Sequence, residues 1–517
     1  MPTPPARLWL RSVLGLAAGA VVSTGFAPLE IFWTVPPGLV LLVLALHGLR
    51  PRQAALVGAV FGIGFLALLV SWVSVLGAGV LVALVGIQFP FYAIFGAAFS
   101  FVSRLRGWPL WAALCWVGTE YLRSVVPFGG FPWGRLAFAT VGTPLDPWAR
   151  WVGVAALSGL VFLASALVAS ALLRRSVRGA LVAAAVVVGV VGGGALLPTG
   201  AADPGQRLRV AVVQGDVPGT GATGMGQQRE VLDNHVRETQ ELADAVDAGR
   251  LPRPDVVLWP ENASDIDPYK DAAARAAITS AARAVGAPIL VGAILDGKQP
   301  DQARNVGIAW DPETGPGQTY DKRHLVPYGE YVPFRPLVDR LVPFVTQEIP
   351  RDIVPGDRAG TIDLGGVTLG DMMCFDVVFD NLARDAVLGG AQYLVVQTNN
   401  ATYTGTSQPE QQWQIARMRA IEAGRTVVVP STNGISGIAD ADGAPVARTT
   451  PGVPDVLDRE ITTATGVTWG TRAGVWVERG LALGGFVAVL AGAVAGRRRR
   501  RESPVADTHD AAPAVVR

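Results

Sequence analysis

The stretch "VTLGDMMCFDVVF" (367–379) is apolar, rich in residues that favour strands, and carries Cys374 with an acid, Asp376, two positions later. Its first eight residues, 367–374, read as a buried strand that delivers a thiol at its carboxyl end. Outward from it, between 207 and 465, short apolar runs alternate with helical patterns. Strands are expected at 208–214, 255–259, 288–294, 305–310, 361–365, 392–397 and 426–430, and helices at 227–247, 271–285, 380–388 and 409–424. The last of these helices is stopped by Gly424, the residue type that favours a helix C-terminus. Val- and Leu-rich strands alternating with helices define a layered α/β domain with a buried sheet.

The flanks are a different material. Of 517 residues, 50 % are hydrophobic and only 16 % charged, against about 25 % in ordinary soluble proteins; the mean hydropathy is +0.36. The deficit is confined to 1–197 and 479–496, which are almost free of acids and bases. A bilayer core takes about 20 apolar residues per helix. Eight spans are expected: 9–25, 35–49, 54–75, 78–103, 108–122, 151–173, 179–197 and 479–496. The first also has the basic start and apolar centre of a secretory signal; the spans that follow at once favour a retained helix.

Arginines orient the chain. With the N-terminus cytoplasmic, the inside loops hold Arg50 and Arg52, Arg104 and Arg106, and Arg174, Arg175 and Arg178, and the tail holds Arg497 to Arg501. The short outside loops 26–34 and 76–77 hold no Lys or Arg, as the positive-inside bias requires. The expected organisation is a membrane half (1–200), an exported α/β domain (205–470), a last span (479–496) and a basic, disordered cytoplasmic tail (497–517), in a multi-pass cell-membrane protein. The only other cysteine, Cys115, falls in an apolar span and reads as a small buried hydrophobe. Cys374 is therefore a free thiol in a compartment where free thiols are exposed to oxidation, and it needs a reason.

That reason is chemical. Glu261 follows the strand "DVVLW", Lys322 lies in "YDKRHLVPYGEYVPFR" (320–335), and Cys374 closes its own strand. Ligands of α/β sheets collect beyond the carboxyl ends of strands. There a carboxylate can take the thiol's proton, the thiolate can attack a carbonyl, and an ammonium can hold the resulting oxyanion. Singly, each has a plain reading: a loop acid, a charged loop and a core thiol.

Together, "WPEN" (259–262), the lysine motif and the cysteine strand resemble the nitrilase superfamily of carbon–nitrogen hydrolases. With spans on both sides, with "TEYLRS" and "GGFPWG" (119–134) in the membrane half, and with "RMRAIEAGR" (417–425) and "STNGISG" (431–437), the chain is similar to the apolipoprotein N-acyltransferase family. The resemblance implies an α-β-β-α sandwich and a triad of Glu261 as base, Lys322 as oxyanion stabiliser and Cys374 as nucleophile. It also implies transfer of a fatty acyl chain from a phospholipid to the α-amino group of a diacylglyceryl-modified cysteine on an apolipoprotein. Glu330 matches a second carboxylate of the family, placed to orient Lys322 or neutralise it. Phe375 and Asp376 stand where the family has tyrosine and glutamate, Asn400 where aspartate is frequent, and "QQW" (411–413) where a glutamine–histidine pair is usual; a tryptophan expected within 217–226 is missing.

Several residues are expected to meet lipid. Leu337, Leu341 and Phe344, in an apolar stretch after the lysine motif, read as a membrane-dipping arm. Glu120 and Arg123 at the outer end of the fifth span read as a mutual salt bridge or a headgroup contact, and Phe131 and Trp133 as an interfacial anchor lining lipid entry. No metal, cofactor or nucleic acid is expected, and the protein is expected to be a monomer. Three other readings remain: a membrane-anchored amidase or nitrilase using the same triad on water, a Cys–His hydrolase built on His324, and a transporter. Product identity separates the first. A motif better explained by its lysine weakens the second, and the lack of charged residues in spans one to four, apart from Arg11 near the cytoplasmic start of the first, weakens the third.

Overall fold

The computed structural model describes residues 5–217, 228–341 and 349–502. Seven helices precede the α/β domain: α1 (Pro5–Ser23), α2 (Val35–Leu46), α3 (Pro51–Leu69), α4 (Ala78–Val102), α5 (Trp108–Val125), α6 (Trp148–Arg174) and α7 (Val177–Leu196). Among the described residues, α3, α4, α6, α7 and the closing helix over Trp469–Arg497 are long and apolar enough to cross a membrane. The other three expected spans fall short of that measure. α2 has 12 residues, or about 18 Å of helix. α1 carries Arg7 and Arg11, and α5 carries Glu120 and Arg123. The expected third span also breaks early: after Leu69 the chain turns into a 3-10 segment, Ser71–Leu76, that places Trp72 at the domain junction. α3 and α4 pack backbone to backbone, since a methyl on Gly96 would lie 2.1 Å from the Ala54 carbonyl.

The α/β domain is two face-to-face sheets. Its elements run β1 (Pro204–Gln214), α8 (Gln228–Asp247), β2 (Val256–Leu258), α9 (Ala272–Val285), β3 (Ile289–Asp296), β4 (Gln302–Asp311), β5 (Gly315–Asp321), α10 (Arg335–Leu341), β6 (Asp352–Ile353), β7 (Thr361–Leu364), β8 (Val367–Met373), α11 (Asp380–Leu388), β9 (Tyr393–Gln397), α12 (Gln408–Ala423), β10 (Val427–Val429), β11 (Gly437–Ala439), β12 (Pro445–Arg448) and β13 (Asp455–Ala464). One sheet has the order β13-β1-β2-β3-β4-β5, with β6 beside β4, and the other β12-β11-β10-β9-β8-β7. Both have parallel centres, β1-β2-β3 and β8-β9-β10, and antiparallel edges. Strand alternation sorts the core: Val210, Val212 and Met373 point between the sheets. Ala211 and Val213 point toward α8 and α9, and Met372 toward α11, α12 and the membrane half.

The layer between sheet and membrane is unusual. α12, "QPEQQWQIARMRAIEA", reads as a polar helix, yet nearly all of its side chains are buried. Arg419 lies between Asp380 (2.7 Å) and Glu422 (2.6 Å), while Arg135 from the α5–α6 loop bonds Asp380 (2.8 Å) and Glu478 (2.9 Å) of the last helix, α13 (Trp469–Glu502). These five charges join four segments of both halves by direct ion pairs. α13 begins well before the expected span and carries Arg497–Glu502 as helix; residues 503–517 of the expected tail lie outside the described residues.

Breaking such a buried pair strands a charge, at a cost of about 3–5 kcal/mol. Arg135→Leu should therefore lower the thermal unfolding midpoint of the detergent-solubilised full chain by several degrees, measured by tryptophan fluorescence. An exposed pair such as Arg229 with Asp233 should leave it within about a degree when its Arg is changed to Leu.

Candidate active site

Four strand ends converge. Glu261 follows β2, Lys322 follows β5, Cys374 follows β8 and Asn399 follows β9. β5 was not among the expected strands, because "GPGQTYD" is full of turn formers. Its antiparallel pairing with β4, Tyr320 opposite Gly307 and Asp321 opposite Val306, makes it a strand and carries Lys322 inward. Gly292 of β3 is needed for the approach: a Cβ there would sit 2.1 Å from the Pro260 carbonyl and 2.8 Å from Glu261 Cα.

Lys322 is buried. Its Nζ donates to Glu261 Oε1 at 2.9 Å and Glu330 Oε1 at 3.0 Å. Burial alone would lower its pKa, but Glu261 and Glu330 outweigh it and hold the ammonium well above the usual lysine range. Asn305 donates to both carboxylates, at 2.8 and 3.1 Å. Glu261 Oε2 accepts the Asn399 amide at 3.0 Å, and Glu330 Oε2 the Val326 amide at 2.8 Å. Both acids are thus fixed by backbone as well as by the lysine.

Cys374 is half-buried and free. It opens a 3-10 turn, Cys374–Val378, with φ of +48°, a left-handed conformation that costs a non-glycine residue energy. The turn is clamped: Asp376 accepts from Tyr320 Oη (2.9 Å), the His324 amide (2.9 Å) and the Met373 amide (3.2 Å). Arg419 donates to the Val377 and Val378 carbonyls. Asp376 thereby ties the lysine loop to the cysteine turn, and burial raises its pKa to about 6 against the opposing pull of Lys322. Burial likewise pushes the Cys374 thiol up, Glu261 adds to this, and Lys322 and a Gln412 hydrogen bond oppose it. The resting sulfur is a protonated thiol.

The membrane half roofs the site. Phe131 stacks on Phe375 with centroids 5.8 Å apart, and Trp72 meets Tyr403 edge-on at 5.1 Å. Trp133, expected as an interfacial anchor, is buried and donates to Gln411 at 2.7 Å; Trp72 donates to the same oxygen at 3.0 Å. Gln411 returns hydrogen bonds to the Ala27 and Leu69 carbonyls, so one side chain clasps three membrane-half segments. Glu120 and Arg123 do not pair with each other. Both are buried: Glu120 accepts from Trp116 and the Leu136 amide, while Arg123 donates to Gln88, Tyr92 and the Trp133 carbonyl. On the arm, Leu337 is exposed, Leu341 ends α10, and Phe344 lies outside the described residues; so does most of the 217–226 stretch. Beside the arm, the exposed Phe334 and Phe128 rings meet edge-on at 6.0 Å.

His324 is not paired with the thiol; its ring lies flat on Phe379, 3.9 Å between centroids. Sequence reasoning missed Asn305, Tyr320, Gln411 and Arg419, whose roles depend on contacts far along the chain.

The apolipoprotein N-acyltransferase N-terminal domain matches residues 18–167, and the carbon-nitrogen hydrolase family matches 209–470, so the α/β domain is of the carbon–nitrogen hydrolase class. Across nearly its whole length the chain is 38 % identical to the apolipoprotein N-acyltransferase of Mycolicibacterium smegmatis, covering 92 % of this chain and 84 % of that one. It is 30 % identical to that of Methylococcus capsulatus, covering 95 % and 97 %. Among solved structures, a Nesterenkonia amidase of the nitrilase superfamily covers 52 % of this chain and 93 % of its own at 20 % identity, with a TM-score of 0.37. The chain belongs to the apolipoprotein N-acyltransferase family. It is an acyltransferase.

Burial lowers the His324 pKa to about 4, Arg323 adding to the shift. Between about pH 6.5 and 4 the unfolded chain binds a proton there that the folded chain refuses, so folding stability falls as pH falls through this window. His324→Phe, which keeps a ring against Phe379, should make that acid slope shallower by up to about 1.4 kcal/mol per pH unit, read from unfolding midpoints across the window.

Proposed function

We propose that this chain moves a fatty acyl group from a phospholipid to the α-amino group of a diacylglyceryl-modified apolipoprotein cysteine, through a thioester on Cys374. Supporting this is the convergence of a carboxylate, a buried ammonium and a strained cysteine turn beneath aromatic side chains of the membrane half. Glu261 takes the thiol proton. The thiolate attacks the ester carbonyl, and Lys322 holds the oxyanion that forms. Collapse expels the lysophospholipid's alkoxide, which takes the proton back from Glu261. In the second half, the neutral amine attacks the thioester, Glu261 accepts its proton, and the sulfur leaves, giving an amide. Glu330 is the counter-charge that keeps Lys322 ionised and aimed. One residue carrying the acyl group between two substrates gives ping-pong kinetics.

The acyl chain enters from the membrane side, where Phe131, Phe375 and the exposed Phe128 and Phe334 present apolar surface. The arginine bias favours an α/β domain outside the cytoplasm and both termini inside, in a cell-membrane protein acting as a monomer.

Purified protein incubated with phospholipid alone should gain one fatty-acyl mass on the peptide holding Cys374, and Cys374→Ala should gain none and transfer nothing. N-acylation at full rate by that variant would remove the mechanism. Lys322→Ala should slow thioester formation by about 10²–10³, measured by the same mass gain against time. Free fatty acid as the sole product, with an acceptor peptide present, would mark a hydrolase instead.

A further inference from the structure

Gln412 and Asn400, two positions at which the chain departs from the family pattern, touch each other beside the nucleophile. Asn400 Nδ2 donates to Gln412 Oε1 at 2.9 Å, and Gln408 Nε2 donates to the same oxygen at 3.0 Å. Gln412 Nε2 donates to Thr398 Oγ1 at 3.0 Å. All four residues are buried.

Backbone groups fix the direction of this chain of hydrogen bonds at both ends. The Gly434 amide donates to Ser431 Oγ at 2.9 Å, and the Ser431 hydroxyl donates to Asn400 Oδ1 at 3.1 Å. Asn400 must then turn its NH2 toward Gln408 and Gln412. At the other end the Thr398 hydroxyl donates to the Val396 carbonyl at 3.2 Å, which leaves its oxygen to accept from Gln412. An inverted Gln412 amide would set NH2 against two NH2 groups. Its carbonyl is therefore saturated, one N–H is engaged by Thr398, and one N–H remains. Thr398, which anchors this amide, follows Gln397, the strand partner of Met373, so Gln412 is held beside the cysteine turn; a Gln412 hydrogen bond is among the influences that oppose the burial pushing the Cys374 thiol up.

We propose that Gln412 is a further catalytic residue, whose remaining N–H donates to the Cys374 sulfur and stabilises the thiolate from the side of the membrane-facing helix α12. A primary amide has no proton to lose near neutral pH, so this donor works at constant strength whatever the outside pH. An imidazole in the same place would change charge between about pH 5 and 8. The proposal rests on Cys374 being the nucleophile.

The test is alkylation of the full-length enzyme by iodoacetamide, followed by mass spectrometry on the Cys374 peptide from neutral to alkaline pH. A hydrogen bond to a charged group accounts for about a tenfold effect or more. Gln412→Leu should slow alkylation about tenfold at every pH below the thiol's midpoint, displacing the profile by about one unit. Gln412→Glu, close to isosteric, should displace it further in the same direction, and decides the matter if the leucine variant fails to fold. Asn400→Asp removes the donor that orients Gln412, and should slow alkylation without any change at position 412. Unchanged profiles in folded Gln412→Leu or Gln412→Glu protein overturn the proposal. Absence of a Cys374 acyl adduct in the unsubstituted enzyme would instead overturn the nucleophile itself.

Discussion

A single buried ammonium dictates the layout of this molecule. Lys322 is removed from water, and an isolated cation in a protein interior is strongly destabilising. Glu261 and Glu330 must both come to it, one from the end of a strand, the other from the loop after the lysine, and Asn305 fills the gap between them. That demand brings β2, β4 and β5 into register around one point. Burial pushes the neighbouring Cys374 thiol up, and the two carboxylates, set against one ammonium, add to that shift. In the proposed mechanism, moving the thiol proton to Glu261 leaves Lys322 and Glu330 paired and produces the thiolate as the substrate carbonyl arrives.

The same arrangement reconciles a free thiol with the oxidising surroundings that the proposed topology gives it. Oxidation proceeds through the thiolate, and the burial that pushes the half-buried Cys374 thiol up leaves little of it. In the proposed mechanism, reactivity comes from proton transfer within the site, without a permanently lowered pKa.

The membrane half is part of the catalytic fold as well as its anchor. α12 is a polar helix buried on all sides, and its polar groups each hold a different neighbour. Gln411 clasps the membrane loops, Gln412 joins Asn400, Gln408 and Thr398, and Arg419 holds the cysteine turn and the five-charge cluster. A shift of the membrane loops would be transmitted through Arg135 and Asp380 to the carbonyls that shape the turn after Cys374.

The amino-acid sequence by itself determined the material of each half, the alternation of strands and helices, and the three chemistry-bearing residues at strand ends, because hydropathy, periodicity and strand-end position are local properties. Eight helices were legible, but whether a 12-residue helix spans was not, since length and partners decide that together. β5 and β11–β13 were invisible in the sequence because their stability comes from the strands they pair with, neighbours such as β4 and β10 or, for β13, the distant β1. Likewise Glu120 and Arg123, three residues apart, read as a mutual salt bridge or a headgroup contact, yet Glu120 is held by Trp116 of its own helix and the Leu136 amide, and Arg123 by Gln88, Tyr92 and the Trp133 carbonyl. Only the tertiary structure decided which polar residues the nucleophile sees, because burying an amide or a charge forces it to find partners wherever the fold brings them within about 3 Å.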